Sequence, residues 1–429
     1  MKRLVLLIAA VILFTGLQVK SQTATAVNYT ALEKKLSKSE NDIQNAKKNT
    51  KAATWISRAD VLISIYNVHN DILYSGMSTT EAQLLLPNPK IETSQEKSDQ
   101  IEEYIYDRVT LKFRNGELES WTETNPVAKD ALGQAESAIN KAIQLNTDGK
   151  ATNAIGKTVQ SLKDSYETEA VLEYERGNMK SSHEKFVKIL DLNQLPGMDK
   201  SMVDTIIIYN AGRTAIESGL NSEAAKYFQQ LDNINYNEPF IYVYLEQSLL
   251  AMADTNAAVA AINKGFQKYP ENQAIMNELI NYYINTGNAD GALQLLSLAK
   301  QKEPENVSYV FAEGAMYDRI GKVPEAEKLY MQALDMNPEF YDAAYNLGVL
   351  YYNEAVKLYE QASRTPDNAA AQKLETQGDE MLKKAVPFME RASQIDPEDT
   401  YSLQNLRNIY YRLEMTDKYN EVVKKLQGQ

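Results

Sequence analysis

The feature that most constrains the fold is a 34-residue period in the C-terminal half of this 429-residue chain. Alanine recurs at this spacing at four positions: Ala224, Ala258, Ala292 and Ala326. Proline keeps the same interval at Pro270, Pro304 and Pro338, and glycine precedes three of the alanines at Gly219, Gly287 and Gly321. A fixed period of this length indicates a solenoid, in which each unit buries its apolar face by stacking on its neighbours. Such a shape favours a binding protein over an enzyme.

Each unit has the pattern of a helix, a short turn and a second helix, as the stretch from Val307 to Phe340 illustrates. The small residues Gly314 and Ala326 would let the two helices cross closely. Gly321 suits the left-handed position that ends many helices. Pro338 would end the second helix and begin the next unit.

The residues Tyr345-Asn346-Leu347-Gly348, followed by Tyr351, closely resemble the opening signature of the tetratricopeptide repeat (TPR) family. The resemblance implies an all-α fold, a right-handed superhelix. Projecting the family's register gives four units without gaps, at 205–238, 239–272, 273–306 and 307–340. A longer unit follows at 341–399 and a C-terminal unit or cap at 400–429. Some units depart from the pattern, since Glu246 and Ile280 replace the small residue of the first helix.

The register becomes looser toward the N-terminus. A TPR-like unit with a long loop is predicted at 148–204, where Gly177 fits the turn between the helices. A split TPR-like unit is predicted at 51–147, with Trp55 in its first helix and Ala135 in its second. Before it, an amphipathic helix within 22–50 is predicted to cap the end of the stack.

The split unit carries an insertion at about 75–125. Within it, β-forming residues flank Asn115-Gly116 between Tyr104 and Thr122. Because both residues of a tight hairpin turn need positive φ, an Asn-Gly pair between alternating runs predicts a β-hairpin. A lone hairpin is marginally stable, so it is expected to pack on the helices. The polar stretch from Ser75 to Gln100 is predicted to be a loop.

A second insertion lengthens the unit that begins at Tyr341, because Pro338 and Pro397 are 59 residues apart instead of 34. The extra residues keep helical periodicity on both sides of Thr365-Pro366-Asp367-Asn368. Both helices are therefore predicted to extend as a protruding αα-hairpin, by roughly 18 Å at 1.5 Å per residue. The hairpin is either a tolerated insertion or a docking site for a second partner.

The N-terminus has the layout of a secretory signal peptide. Lys2 and Arg3 precede a 14-residue apolar run from Leu4 to Leu17. The run is shorter than the ~20 residues of a spanning helix, which predicts a signal peptide at 1–21 and leaves a membrane anchor as the alternative. With no cysteine for a lipid anchor or a disulfide, the mature chain is expected to be periplasmic or secreted, and not inserted in the membrane.

Composition and motifs argue against several functions. A net charge of −13 disfavours nucleic-acid binding. Neither of the two histidines, His69 and His183, belongs to a metal motif, and His183 is interpreted as a surface residue. Gly156-Lys157-Thr158 lacks the first glycine of a phosphate-binding loop, so these residues are interpreted as helix. We therefore expect no enzyme activity, cofactor or metal.

The candidate site is the inner face of the superhelix. In the TPR family, side chains at fixed places of each first helix face this concave groove. Carried onto this register, those places hold thirteen residues: Tyr209, Arg213, Tyr244, Gln247, Asn277, Asn281, Phe311, Asp318, Tyr345, Tyr352, Tyr401, Asn408 and Tyr411. Aromatic side chains interleaved with amides suit a protein or peptide ligand, although some of these tyrosines could instead pack between units.

These features favour a non-enzymatic TPR scaffold or adaptor that binds a protein or peptide in a bacterial envelope, in outer-membrane assembly, secretion or envelope maintenance. The combination resembles envelope proteins of the Bacteroidetes type. A chaperone-tail clamp is disfavoured, because the required lysine is absent from its place in every unit. The alternative is a glycan-binding TPR-scaffold protein of a polysaccharide-uptake system, for which only Trp55 and Trp121 could stack on sugars.

Overall fold

A computed structural model describes residues 27–427 of the chain. The predicted signal peptide at 1–21 lies outside these residues. The described part falls into two compact units, 27–261 and 262–427. No helix between residues 27 and 427 is both long and apolar enough to cross a membrane.

The first unit consists mainly of helices packed in sequence order. Their bounds are α1 (Tyr29–Gln44), α2 (Ala52–Asn70), α3 (Thr79–Leu85), α4 (Ala131–Leu145), α5 (Thr152–Glu175), α6 (Met179–Leu192), α7 (Thr205–Glu217), α8 (Asn221–Asn233) and α9 (Phe240–Ala251), and α10 (Thr255–Lys268) extends past the unit's end. Helices α2 and α4 pack against each other across the insertion. Ala59 and Ala135, both fully buried, belong to the core that they share with α5 and α6.

The insertion folds as an antiparallel sheet with strands in sequence order: β1 (Lys90–Glu96), β2 (Asp99–Ile105), β3 (Val109–Arg114) and β4 (Glu117–Glu123). The predicted hairpin is confirmed as β3 and β4, and φ is positive at both turn residues, 52° at Asn115 and 85° at Gly116. Leu111, Phe113 and Trp121 pack in one core with Leu172 of α5, so the sheet rests on the helices.

The prediction of a loop from Ser75 to Gln100 is wrong. This stretch contains α3, β1 and the start of β2. Every residue of β1 is exposed, so the strand lacks the apolar alternation by which a half-buried strand is recognised. Its pairing with β2 through backbone hydrogen bonds leaves no trace in the hydrophobic pattern.

Residues 262–427 form helices joined by short turns, with no β-strand among them. This second unit contains α11 (Gln273–Thr286), α12 (Ala289–Lys302), α13 (Val307–Arg319), α14 (Val323–Met336), α15 (Tyr341–Arg364), α16 (Asn368–Ile395), α17 (Thr400–Arg412) and α18 (Thr416–Leu426). The predicted close crossing is present between α13 and α14: a Cβ atom on Gly314 would lie 3.0 Å from the ring of Tyr330. The all-α fold with a small inserted β-element is therefore confirmed.

The predicted αα-hairpin is formed by α15 and α16, which have 24 and 28 residues against 13 and 14 in α13 and α14. The turn covers Thr365 to Asp367, where the sequence pattern predicts it. The Asp367 side chain caps α16 by accepting a hydrogen bond of 2.7 Å from the amide of Ala370. The hairpin is also tied to α17, because the Arg412 guanidinium lies 4.5 Å from the ring centre of Tyr359.

Candidate partner-binding surface

Three of the predicted groove residues form a buried cluster in the first unit. Tyr209 and Tyr244 meet edge to face with ring centres 6.1 Å apart. The Arg213 guanidinium lies 6.0 Å from the centre of the Tyr244 ring, and its Nη2 forms an ion pair of 3.0 Å with Glu217. Burial raises the pKa of Tyr209, so its hydroxyl stays neutral. These side chains, each at most 9% exposed, act in packing.

Asn277 is also buried, in the second unit. Its Oδ1 accepts a hydrogen bond of 2.9 Å from the Tyr309 hydroxyl, which in turn accepts one of 2.9 Å from the Gln273 amide. Tyr309 is itself 1% exposed. The amide of Asn277 therefore serves the contact between α11 and α13.

Six further predicted residues are half-buried: Gln247, Asn281, Phe311, Asp318, Tyr345 and Tyr352. Phe311 packs against the rings of Tyr330 and Phe340, with centres 5.6 and 5.4 Å away. Burial raises the pKa of Asp318, and the Tyr330 hydroxyl 3.5 Å away opposes that shift. Only part of each of these side chains is therefore exposed to solvent.

Tyr345 connects α15 with α17. Its ring stacks on that of Tyr341 with centres 5.8 Å apart and planes 11° from parallel. The Asn405 amide lies 3.5 Å from the Tyr345 hydroxyl. Burial raises the pKa of Tyr345, which keeps the hydroxyl protonated and able to donate a hydrogen bond.

The remaining three predicted residues, Tyr401, Asn408 and Tyr411, are exposed on α17. Tyr401 is 68% exposed and Tyr411 74%, the two most exposed tyrosines among the large exposed hydrophobic residues of the described chain. The amide of Gln404 is exposed between them. Spacings of three, four and three residues place all four on one side of a helix, and we name them the α17 face. The opposite side is buried through Leu403, Leu406, Ile409 and Tyr410.

Gln404 and Asn405 are not among the site residues predicted from the sequence. Gln404 occupies one of the family's groove places and could have been found by applying the register to it. Asn405 lies outside those places and is near the site only because α17 packs beside α15, so no sequence signal identifies it.

The interpretation of His183 as a surface residue is wrong. His183 is 3% exposed, and its Nδ1 lies 3.0 Å from the carbonyl of Ala211 because α6 packs on α7. His69 is equally enclosed, between the Tyr29 hydroxyl at Nε2 and Glu123 at Nδ1, each 2.7 Å away. Both histidines join neighbouring elements. No group of three or more potential metal ligands occurs in residues 27–427.

Gly156-Lys157-Thr158 lies within α5, as interpreted from the sequence. The two tryptophans differ in exposure. Trp121 is 6% exposed and donates a hydrogen bond of 3.0 Å to Asn70. Trp55 is half-buried against the core of the first unit and donates one of 2.8 Å to the carbonyl of Asn49.

Two family models described as tetratricopeptide repeat match the chain, at residues 249–312 and 312–369. The helix pairs and the Gly314 crossing within this stretch have the packing expected of that repeat. Residues 249–369 are therefore similar to tetratricopeptide repeats in both sequence and helix pattern. TPR modules generally act as non-catalytic scaffolds for protein interaction. No curated protein sequence is significantly similar to the chain.

Several solved structures resemble parts of the chain. YrrB, a TPR protein with an unusual peptide-binding site, is 16% identical, with 48% of this chain and 97% of that chain covered and a TM-score of 0.35. MamA from Desulfovibrio magneticus is 16% identical, with coverage of 44% and 97% and a TM-score of 0.34. A TPR repeats protein from Bacteroides fragilis is 21% identical, with coverage of 58% and 98% and a TM-score of 0.26.

Proposed function

We propose that this chain is a non-catalytic TPR scaffold of a bacterial envelope that binds an extended segment of a partner protein on the α17 face and the adjoining Tyr345. The observation that carries the proposal is the exposure of Tyr401 and Tyr411 on one side of α17. Exposed aromatic side chains grouped on one surface are typical of interaction sites.

The chemistry of the α17 face suits an extended peptide. Tyr401 and Tyr411 are ten residues apart, about 15 Å along the helix, a length that four or five extended residues span. Tyrosine rings give a large contact area at a low entropic cost. Gln404 and Asn408, both exposed, lie between them and can bond the peptide's N–H and C=O groups.

The support for an envelope location is the apolar run from Leu4 to Leu17 behind Lys2 and Arg3. The test is mass spectrometry of the protein purified from its own cells. A mature N-terminus at or near Gln22 supports export with cleavage. Retention of Lys2 would instead favour the anchored alternative.

The binding proposal is tested by affinity capture from envelope extract with the mature chain and with Tyr401→Ala/Tyr411→Ala. Since both side chains are exposed, the variant is expected to fold normally and to lose the captured partner. The matched control is Tyr74→Ala/Leu84→Ala, which removes exposed apolar groups at and near the start of the insertion. Equal capture by all three proteins would contradict the proposal. Binding to immobilised polysaccharide without a protein partner would support the glycan-binding alternative.

A further inference from the structure

Strand β1 forms an uncovered edge of the four-stranded sheet. It pairs with β2 alone, and all seven of its residues are exposed. An uncovered edge strand offers a row of backbone N–H and C=O groups to another strand.

The direction of these groups follows from the hydrogen bonds of β2. The amide of Asn115 donates to the carbonyl of Gln100 over 2.8 Å, so Gln100 faces β3. Because the direction alternates along a strand, the odd-numbered residues of β2 face β1, and their partners in register are Lys90, Glu92, Ser94 and Glu96. The backbone groups of the other three residues therefore point away from the sheet: Ile91, Thr93 and Gln95.

We propose that β1 pairs in antiparallel fashion with β1 of a second copy of this chain, centred on Thr93. A two-fold axis at this point sets Thr93 opposite itself and Ile91 opposite Gln95 of the second copy. In this register each outward-facing residue is paired with another outward-facing residue. The backbone groups of these residues can then form about six hydrogen bonds between the two copies. A two-fold interface requires this kind of self-complementary surface.

Charge supports the same register. The side chains of Lys90 and Glu96 lie on the face of the sheet opposite to that of Thr93. In this register Lys90 lies opposite Glu96 of the second copy, and the symmetry repeats this pair at both ends. Opposite charges in directly opposed positions stabilise a strand pair. Glu96 bonds Arg114 over 3.0 Å, but its side chain is still 53% exposed and accessible to a lysine.

The neighbouring registers are less favourable. Moving the axis to Glu92 sets that carboxylate opposite Glu92 of the second copy. Moving the axis to Ser94 sets Glu92 opposite Glu96 of the second copy. Like charges directly opposite each other destabilise a pair, and each shift also loses hydrogen bonds. The sequence Lys90 to Glu96 therefore specifies one symmetric register.

One pair of edge strands is a small interface, so we expect a reversible dimer with a dissociation constant on the order of 10 µM. Sedimentation equilibrium over a concentration series would show the molecular mass rising toward twice the monomer mass. Thr93→Pro removes the central outward N–H without affecting the bonds to β2, and it should weaken association at least tenfold. Thr93→Val keeps that N–H and should associate normally.

A charge exchange tests the register. Lys90→Glu and Glu96→Lys should each self-associate less, because each sets like charges opposite each other. A mixture of the two should form heterodimers, since both end pairs are then complementary. A wild type that stays monomeric at 200 µM overturns the proposal, as does a dimer unaffected by Thr93→Pro. A monomer that instead adds a strand from another protein at β1 also overturns it.

Discussion

A Cβ atom on Gly156 would come within 2.5 Å of the carbonyl oxygen of Gly197. Gly156 is the fifth residue of α5, and the segment that follows α6 crosses the helix there backbone to backbone. The conformation at Gly197 has φ of +90°, a region that favours glycine. The glycine of Gly156-Lys157-Thr158 is therefore explained by packing.

Gly156→Ala is expected to lower the stability of the first unit. Alanine improves helix propensity by about 1 kcal/mol, but a clash with backbone atoms that cannot rotate away costs more. We expect a net loss of about 1–2 kcal/mol, measured by urea denaturation. The control Lys157→Ala changes the exposed neighbour and should stay within about 0.5 kcal/mol of the wild type. A Gly156→Ala protein as stable as the control would show that the segment around Gly197 moves freely.

Ala292→Leu tests the repeat register in the second unit. Ala292 is fully buried on α12, at a place where the 34-residue pattern requires a small residue. The larger side chain should cost about 1–3 kcal/mol through overpacking, seen as a lower denaturation midpoint. Gln294→Leu places the same side chain at an exposed position of the same helix and should have little effect. Equal midpoints for both variants would mean that Ala292 does not lie at a tight crossing.

The period predicts the helix pairs well because the small residues at each crossing recur with it. Gly314 and Ala326 lie at the crossing where the pattern expects them. Strand β1 could not be predicted, because it is stabilised by backbone pairing with β2 and carries exposed side chains. The burial of His183 also could not be predicted, since it depends on how closely α6 and α7 approach.

The sequence likewise predicts the candidate site only in part. The family's register placed Tyr401, Asn408 and Tyr411 on one side of α17, where the structure has them exposed. The same register does not separate these exposed residues from Tyr209 and Asn277, which are buried. Their burial depends on contacts with neighbouring rings and hydroxyls, which the register does not specify.

Asp399 gives a stability contribution that depends on pH. Its carboxylate caps α17, accepting bonds from the amide of Ser402 (2.8 Å) and the Tyr341 hydroxyl (2.6 Å). Burial alone would raise the pKa of Asp399, but these hydrogen bonds outweigh it and lower the pKa. A carboxyl whose pKa is lower in the folded state stabilises that state above its ordinary pKa of about 3.9. This contribution is lost as the pH falls through the folded-state pKa.

Asp399→Asn should therefore cost about 0.5–1 kcal/mol at pH 7, a difference that stays constant down to about pH 5 and shrinks below it. Thermal denaturation from pH 7 to about pH 2 measures the difference from the wild type. Glu398→Gln, an exposed neighbour, serves as the control. A constant difference across this range would mean that the charge on Asp399 does not contribute.

Arg412→Ala should loosen the αα-hairpin. Besides its contact with the Tyr359 ring, Arg412 bonds Asp379 on α16 over 3.3 Å from its Nε. Since the side chain is partly exposed, the expected effect is a rise of about 2- to 5-fold in amide hydrogen exchange over residues 353–381. Arg407→Ala removes an exposed arginine of the same helix and should leave this exchange unchanged. Unchanged exchange in both variants would mean that α17 does not hold the hairpin.

The most direct test of partner binding on the α17 face is photo-crosslinking in the chain's own cells, with a photoreactive residue at position 404 or 372. Position 404 lies between Tyr401 and Asn408, whereas Gln372 is exposed on the αα-hairpin. We predict a protein adduct from position 404 that disappears when Tyr401→Ala/Tyr411→Ala is added, as expected if these tyrosines contribute about 2–4 kcal/mol to binding. An adduct from position 372 alone, or one from position 404 that survives the double substitution, would contradict the account.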